Sequence, residues 1–346
     1  MKTRLEIIRP DDWHLHLRDG ARLRDVVAHS ARQFHRAIVM PNLTPPVTTV
    51  AMALDYRQRI LDALPAGSDF VPLMTLYLTD QTTRDDIDAA ADCEHVVACK
   101  LYPAGATTNS ESGVTDLQHI EGVLKRMADR QLPLLVHGEV TDPRIDVFDR
   151  ESVFIDRILI PLREELPELR IVFEHITTSE AVHFVNDQAD NVAATITPQH
   201  LRLIRNNLLA GGLRPHLYCA PILKSRNDRK LLVEAATSGD RRYFLGTDSA
   251  PHSQRDKESA CGCAGVYSAH AALELYAEVF ETAGALDRLE AFASCNGPDF
   301  YRLPRNHQTV TLEKTSWTVP DDYDFAGERL VPLRAGSELG WQLSDD

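Results

Sequence analysis

The sequence has few cysteines and no long apolar run, and these absences exclude several classes of protein. Six cysteines in 346 residues are too few for a disulfide framework, which predicts a reduced, cytoplasmic protein. The first residues lack the apolar core of a signal peptide, and no apolar run reaches the length of a transmembrane helix. Basic residues are outnumbered, 37 against 51 acidic ones, and a net charge of −14 argues against nucleic-acid or anionic-membrane partners.

Glycine-rich nucleotide-binding motifs are also missing, since none follows a predicted strand. This absence argues against dinucleotide-binding and P-loop folds. Cys261 and Cys263 are separated by one residue and have no second pair, so we predict a small-residue loop there rather than a zinc or redox site.

Short β-rich runs alternate with longer amphipathic segments along most of the chain. Eight runs are predicted strands: the opening stretch from Asp11, and then 36–40, 70–77, 96–100, 132–137, 170–175, 192–196 and 242–248. Helices are predicted at 50–64, 116–130, 148–166, 180–186, 226–237 and 269–283, with Thr49, Thr115 and the Thr177–Thr178 pair as N-cap candidates. Eight strands alternating with helices predict a (β/α)₈ TIM barrel.

Two further segments lie outside this alternation. The stretch 289–301 is typical of an extra helix broken by Asn296-Gly297-Pro298, and 309–343 is typical of short strands separated by turns. We therefore predict a single domain over residues 1–346, with 305–346 as a C-terminal extension.

The opening stretch, Asp-Asp-Trp-His-Leu-His-Leu-Arg-Asp from Asp11 to Asp19, contains the first candidate site. On an extended strand, His14, His16 and Arg18 would share one face. Two imidazoles so placed can bind one metal ion, with a guanidinium nearby for an anionic ligand. The opposite face would carry Trp13, Leu15 and Leu17.

Residues with metal-binding or catalytic chemistry recur at the carboxyl ends of the predicted strands, which form the functional face of a TIM barrel. They are His14, His16, Asn42, Lys100, His137, His175 and Asp248. Such ligands suit Zn²⁺ or a similar metal. Lys100 leaves three possibilities open: its amine faces the substrate, it forms an ion pair, or it reacts with CO₂ to give a carbamate that bridges two metals.

Along nearly its whole length the sequence resembles the amidohydrolase superfamily, and within it the short bacterial (class II) dihydroorotases. The resembling segments are 9–19, 40–43, 100–103, 135–139, 173–178, 214–219 and 246–252. The resemblance implies a hydrolase of cyclic amide C–N bonds. It would interconvert N-carbamoyl-L-aspartate and L-dihydroorotate in de novo pyrimidine (UMP) biosynthesis, as a homodimer.

The same resemblance implies two Zn²⁺ ions in each subunit. His14, His16 and Asp248 would hold the more buried ion, and His137 and His175 the other. N6-carboxylated Lys100 and a hydroxide would bridge them. Asp248 would be the catalytic general base and then acid.

Substrate-binding roles are implied as well. Arg18, Asn42 and His252 fall where the family binds the substrate α-carboxylate. Ala220 and Ala264 fall where it contacts the pyrimidine ring, and His16 and His137 also face the substrate. Thr107 and Thr108 fall in a loop that closes over the substrate, although an ordinary βα connection is the simpler interpretation.

Two other functions are worth testing: another cyclic-amide hydrolase of the hydantoinase or allantoinase type, and a metal-less relative that acts as a scaffold. Arg18, Asn42 and His252 argue against the first, because neutral rings need no carboxylate pocket. The full set of ligand residue types argues against the second. Among the remaining histidines, His200 and His216 lie near strand ends and are candidates to support the ligands.

Overall fold

The computed structural model describes residues 3–260 and 262–344, and its centre is an eight-stranded parallel sheet. The strands are β1 Arg4–Ile8, β2 Asp11–Leu15, β3 Arg36–Val39, β4 Val71–Tyr77, β5 Val96–Leu101, β6 Leu134–Val136, β7 Ile171–Phe173, β8 Val192–Ile196, β9 Tyr243–Leu245, β10 Thr309–Glu313, β11 Trp317–Thr318, β12 Tyr323–Phe325, β13 Glu328–Leu330, β14 Glu338–Leu339 and β15 Gln342–Leu343. Strands β2 to β9 form the central sheet in chain order. Two hydrogen bonds connect its first and last strands, from Asp248 N to His14 O (2.9 Å) and from His16 N to Ser249 O (3.1 Å). The predicted TIM barrel is therefore confirmed.

Helices fill the connections and cover the outside of the barrel. They are α1 Ala21–Gln33, α2 Val50–Ala63, α3 Arg84–Asp92, α4 Glu121–Arg130, α5 Arg150–Phe154, α6 Ile160–Glu165, α7 Ser179–Asn186, α8 Pro198–Arg202, α9 Arg205–Leu209, α10 Arg226–Thr237, α11 Gln254–Lys257, α12 Ala272–Thr282 and α13 Asn296–Tyr301. All six predicted helical segments contain helix. No helix of the described ranges is both long and apolar enough to cross a bilayer.

Three local predictions need correction. Helix α4 follows a 3₁₀ turn whose N-cap is Asp116 rather than Thr115, because the Asp116 carboxylate accepts from Gln118 N. Asn296-Gly297-Pro298 begins α13 instead of breaking a helix. Proline is tolerated in the first turn of a helix because the backbone N–H groups there have no acceptor within the helix. Helices α1 and α3 were not predicted, although α3 begins with a capping box between Thr83 and Asp86.

Trp13 lies on a different face from the one predicted. It packs inside the barrel, stacked on Tyr301 with ring centroids 4.6 Å apart, whereas Leu15 and Leu17 pack in the layer between sheet and helices. The register between β2 and β3 shifts between Asp12 and Leu15, so the strict two-residue alternation is interrupted there. The interruption lets Trp13 and His14 both face the interior.

The interior of the barrel contains one layer of apolar side chains towards the amino-terminal ends of its strands. Each of the eight strands contributes, and the cluster is Trp13, Ile38, Met40, Leu73, Ala98, Leu135, Val172, Ala193, Phe244 and Tyr301. Beyond this layer, at the carboxyl ends, the interior becomes polar.

The C-terminal segment packs back onto the start of the chain. Strand β10 pairs antiparallel with β1, from Arg4–Glu313 to Ile8–Thr309, and β15 adds to its other side. The tail is thus a set of short strands, as predicted.

Candidate active site

The carboxyl ends of the barrel strands bring His14, His16 and Asp248 together. The Nε2 atoms of His14 and His16 lie 3.3 Å apart, and each lies within 3.3 Å of Asp248 Oδ1. All three side chains are at least nine-tenths buried. Three lone-pair donors that converge at this spacing are a typical metal-ligand set.

Electrostatics at this cluster favour a cation. Burial lowers the pKa of His14, and it lowers the pKa of His16 to about 4, so both rings are neutral and can ligate. Burial alone would raise the pKa of Asp248, but the contacts with His14 and His16 hold it well below its usual range. An anionic carboxylate and two neutral imidazoles therefore face one point.

His175 reaches the same interior through its backbone conformation. Val172 faces the barrel interior, so alternation along β7 places Glu174, not His175, at the next inward position. His175 adopts φ 43°, in the left-handed region, and its ring centroid lies 5.0 Å from that of His14 and 4.9 Å from that of His137. His175 Nδ1 is buried without a hydrogen-bond partner among the described residues, which suits a ligand atom.

Glu174 is a site residue that the sequence reasoning missed. Its fully buried carboxylate contacts Lys100 Nζ, and its Oε1 lies 3.0 Å from His14 Nδ1. Glu174, His14 and His175 also form a second group of potential metal ligands. The two-residue spacing from Val172 was the available signal, because it marks Glu174 as inward-facing.

Lys100 and His137 complete the polar interior. Lys100 is fully buried, and burial lowers its pKa well below the ordinary value, which favours the neutral amine. His137 Nε2 donates to the Glu139 carboxylate, 2.9 Å away, and His137 is in neither of the ligand groups described above. Glu139 therefore orients His137, in the way that carboxylates orient metal-binding histidines.

The predicted carboxylate-binding residues surround this interior. Arg18 Nη2 lies 2.8 Å from His252 Nε2, and Arg18 Nε donates to Pro251 O at 2.9 Å. His252 Nε2 also lies 3.0 Å from Ala264 O. Arg18, Asn42, Ala220 and Ala264 line one small cavity together with the ligand groups, and Tyr102 lines it too although the sequence reasoning did not single it out.

The loop that contains Thr107 and Thr108 covers this cavity. Asn42 Nδ2 donates to Thr108 O at 3.0 Å, and Thr108 Oγ1 donates to Ala264 O at 3.4 Å. The enclosed volume is about 20 Å³, enough for one water molecule.

Other candidates do not join the site. His200 is buried with both ring nitrogens engaged, by Thr197 Oγ1 at 2.8 Å and Pro221 O at 3.0 Å. His216 pairs with Glu258 near the surface. Cys261 lies outside the described residues.

A larger cleft of about 810 Å³ includes Arg9, whose guanidinium is already paired with Asp69 and Gln308.

Comparison with known proteins places this geometry in a family. The model of the amidohydrolase family matches residues 7–320. The chain is 64% identical to a dihydroorotase of Laribacter hongkongensis over 341 residues, 98% of this chain and 99% of that protein. This chain belongs to the dihydroorotases of the amidohydrolase family.

Solved dihydroorotases share the fold along the whole chain. The enzyme of Campylobacter jejuni matches with a TM-score of 0.91 and 38% identity, over 99% of this chain and 98% of that one. A Saccharomyces cerevisiae dihydroorotase in complex with 5-fluoroorotic acid matches with a TM-score of 0.92 and 33% identity, over 99% of both chains. The family inferred from the sequence motifs is therefore confirmed. The predicted enzyme class, a hydrolase that acts on cyclic amide bonds, is confirmed as well. The family is metal-dependent, and the convergent ligand atoms and the unpartnered His175 Nδ1 fit a metal centre.

Proposed function

We propose that this dihydroorotase catalyses the reversible cyclisation of N-carbamoyl-L-aspartate to L-dihydroorotate and water, in pyrimidine synthesis. The observation that carries the proposal is a partly buried cation, Arg18, beside the ligand cluster. No carboxylate of the described residues lies within ion-pair distance of Arg18, which lines the cavity together with Asn42. An unneutralised guanidinium there favours an α-carboxylate over neutral cyclic amides such as hydantoin.

We propose two Zn²⁺ ions as the metals. His14, His16 and Asp248 would hold one ion and His137 and His175 the other, with N6-carboxylated Lys100 between them. The neutral imidazoles and the lowered pKa of the buried Lys100 amine support this assignment. When bound, zinc supplies an activated water near neutral pH and polarises the ring carbonyl.

The protein's own groups then bind substrate and move the proton. Arg18 and Asn42, which line the cavity, hold the α-carboxylate together with His252, which contacts Arg18. His16, His137 and the main chain at Ala220 and Ala264 face the ring. In ring opening, an Asp248 carboxylate oxygen accepts the proton of the attacking water and delivers it to the leaving ring nitrogen. Cyclisation follows the same path in reverse.

Thr107 and Thr108 form a lid in this proposal. The contacts of Thr108 with Asn42 and Ala264 close the cavity around space for one water molecule. Substrate entry therefore requires the loop to move, and its return would exclude water from the reaction.

The chain would work as a single metal-dependent domain over 1–346, with 305–346 as its extension, and as a cytoplasmic homodimer. The pairing of β10 with β1 supports the single domain. Four cysteines of the described ranges, Cys93, Cys99, Cys219 and Cys295, are free thiols, which supports a reducing compartment.

The deciding experiment measures ring opening of L-dihydroorotate by protein purified without chelator, with zinc counted in the same sample. We expect turnover with about two zinc ions per chain, lost on chelation and restored by zinc and bicarbonate. Zinc-loaded protein that opens hydantoin or allantoin but not dihydroorotate would contradict the proposed substrate.

A second readout is the equilibrium between ring and open chain. Carbamoyl aspartate (2−) takes up one proton to give dihydroorotate (1−), so lower pH favours the ring, by about tenfold per pH unit. A ratio independent of pH from weakly acidic to weakly alkaline solution would contradict this reaction.

A further inference from the structure

A buried lysine outside the metal cluster connects two main-chain segments next to the cavity. Lys257, at the end of α11, is only 3% exposed. Its Nζ donates to three backbone oxygens, Tyr218 O at 2.7 Å, Cys263 O at 2.7 Å and Gly265 O at 2.8 Å. An ammonium has three donors, so Lys257 is fully satisfied by main chain alone.

These three carbonyls flank the residues that face the proposed substrate ring. Cys263 and Gly265 are the neighbours of Ala264, and Tyr218 lies two residues before Ala220. Gly265 N also donates to Tyr218 O at 2.9 Å, so the two segments meet at the same oxygen that Lys257 binds. Both Ala220 and Ala264 line the cavity.

The segment around Ala264 has little freedom on its other side. Gly265 has φ 152°, and a Cβ there would lie 2.7 Å from Ala250 O and 2.8 Å from His252 Cδ2. Ala264 O itself contacts His252 Nε2 and Thr108 Oγ1. A small shift of the 263–265 segment would therefore displace the carboxylate-binding histidine and the lid contact together.

Lys257 keeps its charge without a counter-ion. No carboxylate of the described residues lies within ion-pair distance of its Nζ, although the side chain is buried. Burial lowers the pKa of Lys257 to about 8, which leaves the amine mostly protonated at neutral pH. Burying an unpaired charge costs free energy, which the three carbonyl contacts and the Tyr218 ring, whose centroid lies 5.7 Å from Nζ, offset.

We propose that Lys257 is a positioning residue that holds segments 218–220 and 263–265 in the geometry that binds the substrate ring. The inference rests on the proposed function, because it assigns the ring to these two segments. It adds a residue that touches no proposed metal ligand and that holds the two segments by hydrogen bonds to main-chain oxygens.

The test compares Lys257→Met with Lys230→Met in the zinc-loaded enzyme. Methionine keeps the length of the side chain and removes all three donors, while Lys230 is a surface lysine whose side chain is 73% exposed. For each variant we would measure KM, kcat, zinc content, Tm and the Kd of 5-fluoroorotate. We expect Lys257→Met to raise KM and Kd about tenfold or more, the loss expected for misplaced binding groups. Zinc content should be unchanged, and Lys230→Met should match the wild type.

The split between KM and kcat separates positioning from simple stabilisation. If Lys257 only stabilised the fold, its loss would reduce the active fraction, and kcat per chain would fall while KM and Kd stayed at wild-type values. That result would overturn the inference. If Lys257→Met does not fold, Lys257→Arg is measured instead, because a planar guanidinium keeps the charge but not the three-donor geometry. A wild-type Kd in Lys257→Arg would likewise overturn it.

The proposed function has its own, separate failure. Wild-type enzyme that neither opens dihydroorotate nor binds 5-fluoroorotate would contradict the function itself. Wild-type turnover with an unaffected Lys257→Met variant would contradict only the role of Lys257.

Discussion

Both ends of the barrel interior contain aspartate and arginine side chains, but the two charges pair with each other only at the amino-terminal end. At the amino-terminal end, Arg36 binds Asp11 through two hydrogen bonds, of 3.0 Å and 2.6 Å, and Asn306 adds a third at 2.9 Å. At the carboxyl end, Asp248 meets two imidazoles, and Arg18 has no carboxylate partner among the described residues. The charges of Asp11 and Arg36 neutralise each other at the first end, whereas Asp248 and Arg18 at the second end have no oppositely charged partner within ion-pair distance among lysine, arginine and carboxylate side chains of the described residues.

The carboxyl end also contains three residues with an unusual backbone conformation. Arg18, His175 and Asp248 have φ values of 62°, 43° and 45°, a region that costs non-glycine residues free energy. All three lie at the carboxyl end, just beyond the strands β2, β7 and β9. Trp13, at the other end, is held by regular stacking on Tyr301. Three residues of the candidate site therefore have a strained backbone, although other non-glycine residues with positive φ, such as Gln131 and Arg302, lie elsewhere in the described chain.

Replacing one carboxylate at each end should give the largest difference in kcat between the two ends. Asp248→Asn removes the proposed base and a metal ligand, so we expect kcat to fall by about 10³- to 10⁴-fold. Zinc content should fall as well, which metal analysis of the purified variant checks. Asp11→Asn makes the same chemical change at the other end and should keep kcat within about twofold for folded enzyme. Equal losses of kcat in the two variants would contradict the division of roles.

Removing a charge from the amino-terminal end should affect stability instead. Arg36→Met leaves the buried Asp11 carboxylate without its partner, and the free energy of unfolding should fall by about 3–5 kcal/mol. Denaturant unfolding measures the change. The exposed pair between Arg305 and Asp299 provides the control, since Arg305→Met should cost at most about 1 kcal/mol. A kcat loss in folded Arg36→Met would show that the ends are coupled.

Two buried tyrosine hydroxyls offer a matched pair. Neither Tyr102 Oη nor Tyr301 Oη has a hydrogen-bond partner among the described residues, but only Tyr102 lines the cavity. Burial raises the pKa of Tyr102 well above its usual value, so it stays a donor. We expect Tyr102→Phe to lower kcat/KM by about 10- to 100-fold, the loss of one hydrogen bond to a charged ligand. Steady-state kinetics should show no such loss in Tyr301→Phe, and equal kinetics in the two variants would exclude the donor role.

The smallest effect should come from the lid. Removing both hydroxyls, with Thr107→Ala and Thr108→Ala together, should lower kcat/KM by about tenfold through weaker closure over substrate. Thr115 lies farther along the same connection and binds Asp80, so Thr115→Ala is the control in the same steady-state assay. An unchanged kcat/KM in the double variant would contradict the lid and show that the loop is an ordinary connection between strand and helix.

Much of the fold could be predicted because its signals are local. Apolar runs of four to eight residues marked the barrel strands, and threonine caps marked two helix starts, at Thr49 before α2 and at Thr178 before α7. The candidate site was found because parallel strands bring their carboxyl ends to one rim, so that residues such as His137 and Asp248 converge. Helix α1 was not predicted, and it begins after Gly20 without a side-chain cap. The N-cap predicted before α4 was one residue too early, because Asp116 and not Thr115 is the cap of the 3₁₀ turn there.

What the sequence could not predict depends on contacts between distant segments. The inward position of Glu174 needed the register of β7, and the turn of His175 into the barrel needed a left-handed backbone that alternation does not indicate. Lys257 gave no signal at all, because its partners are backbone oxygens 6 to 39 residues away.

By itself, then, the sequence determined the alternation of strands and helices, the family and the types of ligand at the strand ends. Those properties follow from residue periodicity and from residue identity, which are readable along the chain. The tertiary structure alone decided which polar atoms find partners and which remain free for metal and substrate. That outcome depends on distances of about 3 Å between segments far apart in sequence, and only the closed barrel sets such distances.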